Sequence, residues 1–256
     1  DIRGEVERIV AGHDVVTSAA VRRELVEDLT SRAVERSVPL LTRPDVPEHV
    51  RALTSHDVLA VEADLVRRLA RRGDRDATAN PVGPVVARRQ LDSAQQRVVG
   101  ALTGTAPLVV VEGAAGAGKT TTLAAVRELL ERDYRRLVVV TPTLKAAQVA
   151  GEQTGADAFS AAWLIHQHGF RWDADGHSER VDATPHPLAR VRPYHLLLVD
   201  EAGILDQDIA RALLTIADES GARIAFVGDR HQLPAVGRGG VLDLAARWSQ
   251  PDAHLD

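Results

Sequence analysis

Val109-Val110-Val111-Glu112, followed by Gly113-Ala114-Ala115-Gly116-Ala117-Gly118-Lys119-Thr120-Thr121-Thr122, decides the fold. A β-branched apolar run halts at a glycine-rich loop, and the loop opens directly into the helical pattern of Leu123 to Leu130. Gly113, Gly118, Lys119 and Thr120 fill G-x-x-x-x-G-K-T in that strand–loop–helix context, which predicts a phosphate cradle. Glycines let the backbone curl so that successive N–H groups face one centre, and the helix N-terminus adds partial positive charge. Lys119 is placed to reach the β- and γ-phosphates, and the Thr120 hydroxyl to ligate Mg2+. The glycine order differs from the dinucleotide fingerprint G-x-G-x-x-G. A simple glycine-rich turn would not explain the strand before it and the helix after it.

Working outward, strands and helices alternate from Leu91 onward. Expected strands are Leu108–Val111, Leu137–Thr141, His195–Val199 and Arg223–Val227. Expected helices are a capped one led by Asp92 or Ser93, then Lys145–Gln153, Ser160–His168, Asp206–Asp218 and Val241–Trp248. That alternation predicts an α/β fold with a mostly parallel sheet covered by helices on both faces. Phe170 to Val181 reads as a hairpin around Asp175-Gly176. In such sheets ligands lie at the carboxyl ends of the strands, so the loops GAAGAGKT, TPTLKAA, DEAG and GDRHQLP carry the chemistry.

The first ninety residues differ in pattern. Thr17 or Ser18 caps a helix with Val21, Leu25, Val26, Leu29 and Val34 at helical spacing, and Pro39, Pro44 and Pro47 end it. Val50–Thr54 reads as a short strand, and Ser55 caps a helix through Leu69 that ends at Gly73. The arginines at 67, 68, 71 and 72 fit a solvated helix end better than a phosphate site. Residues 73–90 read as a linker. The expected organisation is therefore a mainly helical accessory segment, 1–80, before a nucleotide-binding domain, 81–256.

Composition bounds the partners. Net charge is −5, with basic and acidic residues balanced over residues 1–90 and acids in excess afterwards, so no broad basic face for nucleic acid is expected. Cysteine is absent, which excludes a disulfide framework and thiolate metal sites. No apolar run reaches the length of a membrane span, and the cytoplasm is the expected compartment. Methionine is absent even at position 1, which suggests a piece of a longer polypeptide. Lysine occurs only at 119 and 145, against 29 arginines, a pattern that fits a need for a compact ammonium at Lys119.

HLLLVDEAG, His195 to Gly203, is an apolar strand ending in two carboxylates that divide the labour. Asp200 holds Mg2+ from the outer shell, and Glu201 orients and deprotonates the attacking water. In FVGDRHQLP, Asp229 and Gln232 stand where a side chain meets the γ-phosphate or its water, and a glutamine offers both donor and acceptor. Phe159 and Trp163, read as four apart on one helix, fit a core pair better than a base-stacking platform.

LDSAQ, GAAGAGKT, TPTLKAA, DEAG and GDRHQLP, in that order, resemble the motifs of superfamily 1 helicases, in the 5′→3′ branch that includes RecD-like enzymes. The stretch TPTLKAAQVAGEQTGADAFSAAWLIHQHG, together with GDRHQLPAVGRGG, is most similar to the helicase part of MobF-type conjugative relaxases. The resemblance is specific from about Leu91 to Leu244 and leaves residues 1–45 unexplained. It implies a RecA-like P-loop domain that binds ATP with Mg2+. It implies that Gln95 reads the adenine edge, that Gln232 couples phosphate state to DNA grip, and that Thr141, Pro142, Thr143, Lys145 and His166 contact single-stranded DNA. Helicases of this kind also need a second motor domain carrying arginine fingers. Its motifs do not follow Leu244, so the chain is expected to be a first motor domain, nearly inactive alone. The relaxase signature of clustered tyrosines and three metal-binding histidines is missing too. The rival reading is an ATP-binding scaffold that holds single strands or partners without translocating.

Overall fold

The structure, a computed structural model, describes residues 2–13, 15–40, 53–73, 90–113, 118–173, 178–229, 239–249 and 254–255. The expectations on Ala114, Ala115, Gly116, Ala117, Gln232 and the hairpin tip at Asp175-Gly176 lie outside these residues, as does most of the 73–90 linker. Two compact units are present, residues 1–62 and residues 63–256.

In the first unit, helices α1 (Ile2–Gly12) and α2 (Ala19–Arg36) pack on each other. Ser18 caps α2, its hydroxyl accepting from the Val21 N–H. The expected apolar stripe on α2 is only partly used: Val26 is buried while Val21 and Val34 are exposed. Strand β1 (Val38–Pro39) pairs antiparallel with β2 (Leu53–Thr54), the described part of the strand expected over Val50–Thr54. Helix α3 (His56–Gly73) follows and runs across the division.

The second unit is built on a six-stranded sheet in the order β10–β3–β9–β8–β4–β5, parallel at every pair. Its strands are β3 (Leu108–Gly113), β4 (Leu137–Thr141), β5 (Asp157–Ser160), β8 (Leu196–Val199), β9 (Arg223–Gly228) and β10 (His254–Leu255). The four inner strands are nearly continuous Val, Leu and Ile runs and almost wholly buried. A strand covered on both faces is apolar at every position rather than at alternate ones. Val109, Val111, Val139, Leu198 and Val227 join a core with Val98 and Leu102 of α4 (Ser93–Thr103) and Val126 and Leu130 of α5 (Lys119–Arg132). The intervening residues, Val110, Leu197 and Phe226 among them, face the other side by strand alternation. There the sheet meets α7 (Ala161–Gln167), α8 (Gln207–Ser220) and α9 (Val241–Ala246). The short helix α6 (Leu144–Thr154) flanks β4 and β5. This is the RecA-like α/β architecture, with the acidic-pair strand β8 separated from the phosphate-loop strand β3 by β9.

Edge strands β5 and β10 were not expected. Both are short, and β5 is half-exposed, so neither has the buried apolar run that marks the inner four. Ser160 explains the change at β5. Its hydroxyl accepts from the Trp163 N–H and starts α7 one residue later, leaving Phe159 on the strand. Phe159 and Trp163 are therefore not on one helix, although their rings still stack at 4.6 Å.

Of the four arginines ending α3, Arg67 and Arg71 are exposed as expected, whereas Arg68 and Arg72 depart from expectation. Arg72 is 7% exposed and its guanidinium holds Asp218 and the carbonyls of Pro107 and Ala222. Arg68 pairs with the same Asp218 at 2.6 Å. These two fasten α3 to the amino edge of the sheet rather than meeting solvent. Arg135 and Arg223 act similarly on the end of α4. Arg135 donates to the carbonyls of Thr103 and Gly104, and Arg223 to those of Ala101, Leu102 and Ala106. Cations at a helix C-terminus satisfy the carbonyls left without intrahelical partners.

Candidate nucleotide-binding site

Gly118 has φ 72° and ψ 21°, a left-handed conformation in which glycine avoids the Cβ penalty. It delivers the chain into α5, whose first residues are Lys119, Thr120 and Thr121, and no side chain caps that helix. Their N–H groups are the orphan donors of the first turn, and the helix dipole reinforces them, which suits an anion. Gln95 lies against the same point: a methyl group on Gly118 would sit 2.2 Å from Gln95 Nε2. Gln95 Oε1 accepts from the Asp92 N–H at 3.1 Å, and Asp92 Oδ1 accepts from the Gln95 N–H at 2.8 Å. This capping box fixes the glutamine beside the end of the phosphate loop, where α5 begins.

Register brings the remaining acids to the same edge. Glu112 of β3 is opposite Gly228 of β9, Val199 of β8 opposite Phe226, and Val140 of β4 opposite Val199. Gly113, Asp229, Asp200 and Thr141 thus leave the sheet from its carboxyl end. Two interstrand steps, about 10 Å, separate β3 from β8. Asp200 is half-buried; its N–H donates to the Val140 carbonyl and its Oδ1 accepts from the Glu201 N–H at 2.9 Å. Glu201 is exposed and holds φ 55°, an uncommon backbone for a residue with a side chain. Strain of this kind persists where the surroundings impose it, often at functional positions. The surroundings here are tight. A Cβ on Gly203 would stand 3.0 Å from the Asp229 carbonyl, and one on Gly228 3.1 Å from the Gly203 nitrogen. The acidic turn and the start of the Gln232 loop therefore run backbone to backbone.

The Thr120 hydroxyl donates to Gln153 Oε1 on α6 at 3.1 Å. Gln153 lies inside the stretch Thr141–Gly169, but no spacing there marks it as a partner of Thr120; only the fold brings α6 beside α5. Asp229 lies half-buried at the end of β9.

The residues assigned to DNA divide into two groups. Thr141 is 1% exposed and its hydroxyl donates to the Thr143 carbonyl, while Thr143 caps α6 by accepting from the Ala146 N–H. Both side chains hold the loop, and Pro142 is half-buried between them. Lys145 and His166 are exposed. His166 lines a cavity of about 680 Å³ with Ile165, Phe170, Arg171, Trp172 and Ile209. Phe170 and Trp172 belong to β6 (Phe170–Trp172), which pairs antiparallel with β7 (Ser178–Arg180), the expected hairpin. Arg180 ties the hairpin to α8 through a two-pronged pair with Glu219. That hydrogen bond is the main reason the Glu219 carboxyl sits below its ordinary pKa.

Among the described residues no cluster of three or more His, Cys, Asp or Glu side chains stands ready to hold a metal. Mg2+ is usually held by one or two carboxylates, water and substrate phosphates rather than by a protein cage. The Thr120 hydroxyl and the Asp200 carboxylate are the groups present for it, so the donor set fits.

An uncapped helix after a left-handed glycine, at the same carboxyl edge of a parallel sheet as an acid pair, defines a P-loop domain of RecA-like fold. The family AAA_30, described as an AAA domain, matches residues 90–256, and the chain belongs to it. Its fold and motifs are those of a superfamily 1, RecD-like helicase-type domain. It is 35% identical over 181 residues to the ATP-dependent RecD2 DNA helicase of Deinococcus radiodurans, covering 69% of this chain and 23% of that protein. A probable conjugal transfer protein TraA of Sinorhizobium fredii is 26% identical, covering 73% and 16% respectively. Conjugal transfer protein TraA of Rhizobium radiobacter is 27% identical over 71% and 16%. The chain thus spans less than a quarter of each of these relatives. Among the described residues no helix is long and apolar enough to cross a membrane.

Proposed function

We propose that this chain is the ATP-binding and ATP-hydrolysing half of a DNA helicase or translocase, of the kind joined to conjugative relaxases. Residues 81–256 act as the motor domain and residues 1–80 as an accessory segment. The observation that carries this is the shared carboxyl edge, where the uncapped N-terminus of α5 and the Asp200-Glu201 pair lie two strands apart. N–H groups from Gly113 to Thr121 and the Lys119 ammonium hold the triphosphate, and Gln95 reads the adenine edge. Thr120 and Asp200 hold Mg2+, which neutralises charge on the phosphates. Glu201 takes the proton of the attacking water, and Asp229 and Gln232 meet the γ-phosphate side. Single-stranded DNA runs past Lys145 and His166, with Thr141, Pro142 and Thr143 shaping the loop that grips it.

A second motor domain in the same polypeptide completes the ATP site in this scheme. Arginine fingers contribute about 10³–10⁵ in rate, so the 256-residue chain alone turns ATP over slowly and does not unwind DNA. The test is Glu201→Gln in a polypeptide that carries both motor domains. The variant retains Mg-ATP affinity and loses DNA-stimulated hydrolysis. Preserved turnover would move the base elsewhere, and a wild-type protein that binds DNA and ATP without hydrolysis would make it a scaffold.

A further inference from the structure

At the amino edge of the sheet, opposite the nucleotide site, lies a cavity of about 860 Å³. Its walls include Pro107 before β3, Arg135 before β4, His195 before β8 and Ala222 before β9. Strand β3 has six residues, so this cavity is about 20 Å from the phosphate loop. Six arginines and two aspartates line it, in a chain whose net charge is −5. Four of those arginines have structural tasks already described. Arg68 and Arg72 hold Asp218, and Arg135 and Arg223 hold the carbonyls at the end of α4. Arg71 and Arg192 have no such task. Both are exposed, and neither side chain has a carboxylate or carbonyl partner among the described residues.

The two tyrosines of the chain, Tyr134 and Tyr194, line the same cavity. They are 100% and 72% exposed, and both have left-handed backbones, at φ 55° and 68°. Tyr134 closes α5: its N–H donates to the Glu131 carbonyl and the next N–H, of Arg135, reaches back to Leu130. That is the position where helices favour glycine. A tyrosine there strains the turn and buries nothing. Neither ring is explained by the fold.

We propose that this cavity binds a short segment of single-stranded nucleic acid, with Arg71 and Arg192 on its phosphates and Tyr134 and Tyr194 stacked on its bases. Exposed aromatic rings beside unpaired guanidinium groups are the two ingredients of sequence-tolerant single-strand binding. The local field agrees. Burial, then Arg136 and Arg192, hold the His195 imidazole below its ordinary pKa, and the Arg192 N–H donates to its Nδ1. The site is independent of the nucleotide reading, because it shares no residue with the carboxyl edge.

The test uses the 256-residue chain and an oligothymidine carrying 5-iodouracil. Binding is followed by fluorescence anisotropy, and photo-cross-links are mapped by peptide mass spectrometry. Cross-links are expected at Tyr134 and Tyr194. Tyr134→Gly/Tyr194→Gly relieves two left-handed side chains, so it melts no earlier than the wild type while binding weakens about tenfold per ring lost. Arg71→Glu/Arg192→Glu changes only exposed side chains, and it lowers the slope of log affinity against log salt by about 1.4. Cross-links confined to residues 141–145, with both variants binding normally, would overturn the cavity assignment and leave the motor reading intact. Displacement of the oligonucleotide by equimolar dTMP would replace the strand by a mononucleotide. Binding of oligoglutamate but not oligothymidine would give the cavity to an acidic polypeptide.

Discussion

Gly118→Ala is the sharpest probe of how the phosphate loop is joined to Gln95. The added methyl group would stand 2.2 Å from Gln95 Nε2, inside any permissible contact. That nitrogen ends a flexible side chain, so the amide swings away and the cost is what it gives up. Leaving its place breaks the bond from the Asp92 N–H to Gln95 Oε1, worth about 1 kcal/mol as half of a capping box. A side chain at φ 72° adds about 1 kcal/mol of left-handed strain. Gly118→Ala therefore costs about 2 kcal/mol, and a domain of this size loses roughly 4–8 °C in Tm. Gln95→Ala alone costs about 1 kcal/mol by the same bond. In the double variant the bond is lost only once, so the two effects fall short of additivity by about 1 kcal/mol. Urea unfolding of the four proteins at one pH measures this. Strict additivity, or a double variant worse than both singles combined, would refute the packing of Gln95 on Gly118. Nucleotide affinity gives a second reading: Gln95→Ala weakens adenine nucleotides more than inorganic triphosphate, whereas Gly118→Ala weakens both.

Two further outcomes test the opposite edge of the sheet. Arg223→Met removes a guanidinium that is 5% exposed and leaves the carbonyls of Ala101, Leu102 and Ala106 unpaired, so it destabilises the chain by about 3 kcal/mol in urea titration. An effect under about 0.5 kcal/mol would mean those bonds are not made. His195 is held below its ordinary pKa by burial and then by Arg136 and Arg192, so the unfolded chain binds the proton more readily than the folded one. Its contribution is complete above the unfolded pKa of about 6.5 and is lost as pH falls below it. His195→Gln should flatten the decline in unfolding midpoint between pH 7.5 and 5.5, and an unchanged slope would contradict it.

The P-loop domain is legible where burial and chemistry coincide. Inner strands such as Leu137–Thr141 and Leu196–Val199 are continuous apolar runs because helices cover both sides, and each ends at the loop that carries a motif. Lys119, Asp200 and Glu201 stand out in the sequence because a phosphate loop and a carboxylate pair have few substitutes. Elements without a buried run were not legible. Strand β5 is a half-exposed edge, and Phe159 was placed on the following helix because ring spacing of four suits a helix as well as a strand–helix junction. Arg68 and Arg72 read as part of a solvated helix end because their acceptors are distant in the chain: Asp218, Pro107 and Ala222. Gln153 and the tyrosine-lined cavity were invisible for the same reason. Their partners meet only once the sheet has formed, and no local spacing announces them.

The most direct measurement is titration of the 256-residue chain with Mg-ATP, wild type against Lys119→Ala, by calorimetry at fixed ionic strength. A cradle formed by the orphan donors at the start of α5 predicts saturable, Mg2+-dependent binding that Lys119→Ala abolishes while thermal stability without ligand stays unchanged. Equal affinity in the two proteins, or no binding by the wild type, would contradict it.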